Sequence, residues 1–425
     1  MRVDGSVHPV VVIGGGQAGL SMSHCLTRLG VGHVVLERGR VGESWRSRRW
    51  DTFCLVTPNW QCDLPGYPYQ GAEPDGFMGR DAIVSYLEGY AASFAPPVVE
   101  RVTASRLTAV DGGFAVTTDR GVLTAGQVVV ATGPYQTPVV PRVAERLAVP
   151  SIHSDAYRSP ADLPDGPVLV VGSGQSGCQI AEDLFLAGRT VHLSVGSAPR
   201  VARRYRGRDV VEWLDLMGHY DRPITEFDDP DAVRSRANHY VTGRDGGRDI
   251  DLRAFARDGM RLHGRLNQVT DRKIVFGDDL QANLDHADAV SEGVKDSIDA
   301  YIGSNGISAP VEERYVPVWQ PPPGASDVRT EEIAAVVWCT GFRRDHSWIR
   351  VPVFDGTGYP AHTRGVTRWP GLYFLGLPWQ HTWGSGRFSG VGRDAEHLAG
   401  HVAAHLAGRA ASGSGYYVHP ELLGT

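Results

Sequence analysis

The chain has 425 residues, too many for one ordinary core, so two domains are expected. Its composition, 42% hydrophobic and 21% charged with a net charge of −6, is that of a globular protein and offers no basic footprint for nucleic acid. Five cysteines without a CxxC pair argue against a disulfide framework, a zinc or other metal site and a dithiol redox centre. No apolar run reaches the roughly 18 residues of a membrane span. The N-terminus carries no signal-peptide pattern, so a cytoplasmic protein is expected.

In chain order, Val10–Ile13 is a short β-branched run, the pattern of a buried parallel strand. It runs into Gly14-Gly15-Gly16-Gln17-Ala18-Gly19, then a helical pattern from Leu20 to Leu29, then a second strand, Val34–Leu36. Gly14 permits the turn, Gly16 lets the backbone approach a pyrophosphate, and Gly19 lets helix and strand pack. The helix start at Gln17 and Ala18 points free N–H groups at the phosphates. Glu37, 18 residues beyond Gly19 and followed by Arg38, is placed to accept from a ribose hydroxyl. Lying close to the N-terminus, this loop is assigned to FAD.

The same order returns after Pro160–Pro167. Val168–Val171 is a strand, Gly172-Ser173-Gly174-Gln175-Ser176-Gly177 the loop, Cys178–Leu186 the helix and Val191–Leu193 the next strand. No acid follows. Arg200, Arg203 and Arg204 come instead, and arginine there suits the 2′-phosphate of NADPH, with Arg200 nearest the strand. A solvated surface is the competing reading of these arginines. Two dinucleotide loops in one chain imply hydride transfer between two cofactors.

With both loops in place, the sequence resembles the flavin-containing monooxygenases with two dinucleotide-binding domains, and within them the indole-pyruvate monooxygenase branch. Gly42-Glu43-Ser44-Trp45 resembles the segment after the ribose-binding acid, which places Ser44 and Trp45 at the flavin nucleotide. Trp50–Phe53 through Leu64-Pro65 resembles the flavin-facing stretch, and Arg80-Asp81 with Tyr86–Ala91 the helix after it. Ala131-Thr132-Gly133 and Cys339-Thr340-Gly341 look like the two interdomain crossovers, and Gly371–Gly376 like the strand before the flavin-capping helix. The chain looks closer still to a bacterial group of flavin-dependent oxidoreductases encoded beside nitrilases. One departure stands out. Of the fingerprint FxGxxxHxxxY, His153 and Tyr157 are kept, but Leu147 and Val149 replace the Phe and the Gly.

The expected fold is α/β, with two Rossmann-like dinucleotide-binding domains, the NADPH domain inserted in the FAD domain. The expected boundaries are 1–160 for the first part of the FAD domain, 161–334 for the NADPH domain and 335–425 for the remainder. Within the insert, Asn283–Tyr301 reads as a long amphipathic helix and Val316–Gly324 as a turn-rich strip.

The cofactor supplies the oxygen chemistry, so no acid–base dyad is required and none is evident. By resemblance Asn59, Trp60 and Gln61 face the isoalloxazine, where an amide could hydrogen-bond the flavin. Trp379 and Trp383 suggest a wall for an apolar or aromatic group, His381 an acid or base, and Arg387 a partner for a substrate carboxylate. A helix start at Gly384-Ser385 would aim N–H groups at the flavin. The reaction implied is hydride transfer from NADPH to FAD, then oxygen activation at flavin C4a and transfer of an atom from O2 to a small organic metabolite. An NADPH-dependent reductase or oxidase without insertion is the alternative, and a homodimer is left open.

Overall fold

The computed structural model describes residues 3–411. Val10, Val11 and Val12 are fully buried, as a parallel strand covered on both faces requires. Their strand, Val7–Ile13, lies at the centre of a nine-stranded sheet, parallel to His33–Glu37 on one side and Gly121–Val130 on the other. A hairpin, Ala104–Val110 with Gly113–Thr118, extends Gly121–Val130. The chain leaves this sheet and returns much later, when Leu372–Phe374 pairs parallel with Val128–Val130.

The second sheet has five parallel strands in the order Ser151–His153, Ala335–Trp338, Val168–Val171, Val191–Ser194, Arg261–His263. It reaches past both boundaries drawn from the sequence, since Ser151–His153 precedes residue 161 and Ala335–Trp338 follows residue 334. An apolar run does not say which sheet edge it will join. Here Trp338 and His153 pair with each other and carry the chain between the domains.

The retained half of the fingerprint ties the domains together. His153 Nε2 lies 3.0 Å from the Gly341 carbonyl and its ring meets Phe342 edge-on. Tyr157, fully buried, donates to Asp183 on the second nucleotide helix at 2.7 Å. Asp183 also accepts from Thr52 of the first part at 2.6 Å and from Arg244 of the insert at 2.9 Å. Leu147 and Val149 pack on the Trp338 side of the second sheet.

The insert builds a three-stranded antiparallel sheet from Leu266–Val269, Lys273–Phe276 and Asp327–Arg329. Its long helix runs Leu280–Ser304, longer at both ends than expected, and packs on the short helix Val210–Leu216 through Trp213, Ile298 and Ile302. Val316–Gly324 forms no regular element. Among the described residues no helix is long and apolar enough to cross a membrane.

Candidate active site

The two glycine loops are built alike. Gly14 and Gly172 have φ of +114° and +103°, which only glycine adopts without strain. A Cβ on either would overlap the crossover backbone, Ala131 in the first case and Cys339 in the second. A Cβ on Gly19 would overlap the Gly14 carbonyl, and one on Gly177 the Gly172 carbonyl. By contrast, Gly16 and Gly174, the caps of the two helices, face open space and carry no side-chain cap. The free N–H groups of each helix start therefore open onto an empty cradle, which fits a pyrophosphate.

Both cradles open into one cavity of about 1270 Å³. A drug-sized ligand needs some 300–1,000 Å³, so this space holds more than one. The first loop contributes Gly14, Gly16, Gln17 and Ala18, joined by Glu37, Arg38, Ser44, Trp45, Thr132 and Gly133. The second contributes Gln175 and Ser176, while Gly172, Gly174 and Gly177 shape the turn behind them. Glu37 is buried and already accepts from the Gly15 and Gly39 amides, at 2.6 and 2.8 Å. A carboxylate has about four lone-pair sites, so it holds the loop and still has capacity for a ribose hydroxyl. The second crossover differs from the first. Thr340 bonds the Val139 carbonyl, and the Gly341 carbonyl accepts from the Val139 amide at 3.0 Å and meets His153; neither residue lines the cavity.

Several expected site residues have other posts. Asn59 spends its amide on its own loop, donating to the Glu73 carbonyl at 2.9 Å and accepting from the Met78 amide at 2.7 Å. Trp60 lies off the cavity, its amide bonded to Pro74. Gln61 alone of the three lines the cavity, and its buried Oε1 has no protein partner. His381 is off the wall, held through its backbone to Ser385 Oγ and Ile224. Ser385 is fully buried, its hydroxyl accepting the amides of His381 and Thr382 at 3.0 Å each, and Gly384 packs on Gly390, so the turn meets the cavity through Trp383 and Gly386 instead.

The arginines after the second strand are likewise committed. Arg200 is 3% exposed, pairs with Asp288 at 2.6 Å and stacks 4.0 Å over Tyr315. Arg203 pairs with Asp209 at 2.8 Å and donates to the Val56 carbonyl at 2.7 Å, so it reaches the cavity wall already neutralised. Arg204 is exposed and off the cavity. Of the three only Arg203 lines the cavity, and the acidic partners, up to 88 positions away, were out of sight of local spacing.

Trp379, Trp383 and Arg387 do line the cavity. Arg387 lies 3.6 Å over the Trp383 ring, donates to its carbonyl at 2.5 Å and to Asn238 at 2.8 Å, and has no carboxylate partner. Arg49, which the sequence reading did not single out, is its counterpart. It lies over Trp45 and Phe53, at 5.1 and 5.4 Å, again without a carboxylate. Burial lowers the pKa of both guanidiniums. Two half-buried cations without an acid partner leave the wall electropositive.

The roof comes from the insert. Tyr220 stacks on Trp383, Phe227 meets Trp379 edge-on, Asn238 takes Arg387, the Ile224 amide donates to the His381 carbonyl and Asp221 pairs with Arg393. Trp379 holds φ +53°, a strained conformation for a tryptophan, in that contact. His219 and His239 open onto the same space with much of their rings exposed to it; desolvation by the surrounding walls lowers both pKa values, His239 to about 4. None of the five cysteines lines the cavity and all are free thiols, so dithiol chemistry has no groups there.

The model of the pyridine nucleotide-disulphide oxidoreductases matches residues 11–215. A CzcO-like oxidoreductase of Geobacillus kaustophilus is 33% identical over 406 residues, 93% of this chain and 98% of that one. The chain belongs to the CzcO-like oxidoreductase family. A probable indole-3-pyruvate monooxygenase of Arabidopsis thaliana, YUCCA4, is 32% identical over 199 residues, 46% of this chain and 48% of that protein. The flavin-containing monooxygenase of Stenotrophomonas maltophilia superposes with a TM-score of 0.65 at 21% identity, covering 94% of this chain and 99% of its own, a likeness of fold. The resemblance to flavin monooxygenases expected from the motifs is thus found in sequence and in fold, and this family member is a flavin-dependent oxidoreductase whose cofactors are FAD and a nicotinamide dinucleotide.

Proposed function

We propose that this chain is an NADPH-dependent flavin monooxygenase that transfers one oxygen atom from O2 to a small organic metabolite. The observation that carries the reading is the single cavity, which joins two pyrophosphate cradles to an aromatic, electropositive chamber. FAD in the first cradle, once reduced by the nicotinamide, supplies the oxygen-activating chemistry. The protein supplies the rest. The helix starts at Gln17 and Gln175 bind the two pyrophosphates. Trp45, Gln61 and Phe388 line the space beside the first cradle. The unpartnered Gln61 carbonyl waits there for a donor. Trp379, Trp383, Tyr220 and Phe227 exclude water from the chamber, and Arg387 orients a negatively charged or strongly polar group against the tryptophan wall.

The test is an oxygen balance. Sulfides, amines and ketones are supplied to the enzyme with NADPH under ¹⁸O2, and product label, NADPH consumed and hydrogen peroxide released are measured together. Label in a product, with peroxide well below NADPH, supports the proposal. Peroxide equal to NADPH with every compound would establish the second reading, an NADPH oxidase without insertion.

A further inference from the structure

We propose that the 2′-phosphate of NADPH is recognised by Arg236 and Ser197, and not by Arg200, Arg203 or Arg204. This rests on the reading of the nucleotide as NADPH. The first ground is elimination by partners. A phosphate needs a cation whose charge is not already spent. Arg200 is held by Asp288 and Arg203 by Asp209, and Arg204 does not line the cavity. The cavity-lining arginines outside the insert lie on the first-part segment 38–49 or, as Arg387, at the roof. Of those within the insert, only Arg203 and Arg236 line the cavity, and Arg236 has no carboxylate partner.

The second ground is placement. The 2′-phosphate is expected at the end of the second strand of a nucleotide unit, here just beyond Val191–Ser194. Ser197 lies there, exposed to the cavity and with no hydrogen-bond partner on its hydroxyl. The segment carrying Arg236 runs beside this stretch. Tyr240 bridges Arg200 in parallel register and its amide donates to the Pro199 carbonyl at 2.9 Å. One residue on, the Val241 carbonyl accepts from Gln175 of the second loop at 2.6 Å. Ser235 through His239 all line the cavity. The insert thus returns a cation to the edge of the nucleotide site from some forty residues downstream, a distance at which a sequence motif gives no sign.

The test titrates the FAD-loaded protein calorimetrically with adenosine 2′,5′-bisphosphate and with 5′-AMP, which differ by this phosphate alone. Anaerobic flavin reduction by NADPH and NADH is measured alongside. The wild type is expected to prefer the bisphosphate by about tenfold or more, the worth of a charge-assisted contact. Arg236→Ala removes that preference and leaves 5′-AMP binding unchanged, Arg236→Lys keeps part of it, and Arg204→Ala keeps all of it. Arg236→Ala retaining the full preference would overturn the assignment. A wild type that binds both fragments equally and reduces equally with both nucleotides would overturn the NADPH reading itself, and the assignment with it.

Discussion

The ring of Tyr220, on the insert, lies 4.4 Å from that of Trp383, on the loop that leads into the last helix. These two residues belong to different domains, and their contact closes the chamber over the cavity. Tyr220→Ala leaves both cradles intact and removes part of the roof. The expected result is anaerobic reduction by NADPH at close to the wild-type rate, with a severalfold rise in hydrogen peroxide released per NADPH under air. Peroxide release unchanged from the wild type would show that the contact does not exclude water from the reaction.

The equivalence of the two loops gives a paired test. A methyl group on Gly19 or Gly177 overlaps a carbonyl oxygen of the same loop, so the helix must move away from its strand. Gly19→Ala is expected to yield protein without bound FAD, read from its visible spectrum. Gly177→Ala is expected to keep FAD and to be poorly reduced by NADPH while still reduced by dithionite. Loss of FAD from the second variant and not from the first would reverse the assignment of the cradles.

These loops were legible in the sequence because their chemistry is local: turn, close approach and helix packing fall within six residues. Glu37 and the helices were legible for the same reason. The rest of the site was legible only in part: Gln61, Trp379, Trp383 and Arg387 line the cavity as expected, and other candidates do not. Arg200 and Arg203 have the right residue type at the right spacing, yet Asp288 and Asp209 neutralise them. Asn59 has the right chemistry and uses it to close its own loop. The roof residues Tyr220 and Phe227 lie more than 150 positions from the tryptophans they meet. Only tertiary packing brings them together, and no periodicity records it.

Asp183 joins three parts of the molecule, accepting from Thr52, Tyr157 and Arg244. Tyr157→Phe removes one of these bonds and leaves the carboxylate two partners. The expected loss is about 1 kcal/mol of unfolding free energy, read from a lower denaturation midpoint, with FAD retained. Asp183→Asn turns part of the acceptor into a donor facing donors, and is expected to cost more and to slow reduction by NADPH through looser domain alignment. Equal, negligible losses in both variants would show that the fingerprint tyrosine does not brace the domains.

A second buried pair sets the acid limit. His192 Nδ1 lies 3.0 Å from His263 Nε2, His263 continues to Ser326 Oγ at 2.8 Å, and Arg261 approaches His192 Nε2 at 3.3 Å. Burial, then the neighbouring Arg261, lowers the His192 pKa to about 4; burial, then His192 and Arg261, lowers that of His263 to about 3. Both rings are therefore neutral in the folded protein. Below the ordinary histidine pKa of about 6.5 the unfolded chain binds protons that the folded chain refuses, so stability is held above that pH and lost as pH falls toward 4. Urea midpoints measured near pH 7.5 and near pH 5 are expected to fall further in the wild type than in His192→Asn/His263→Asn. The double variant starts lower because it loses the stack on Phe276, but its slope is shallower, since its two positions no longer titrate. Parallel slopes in the two proteins would move the acid sensitivity to the buried His346 and the half-buried His362, whose pKa values desolvation also lowers to about 4.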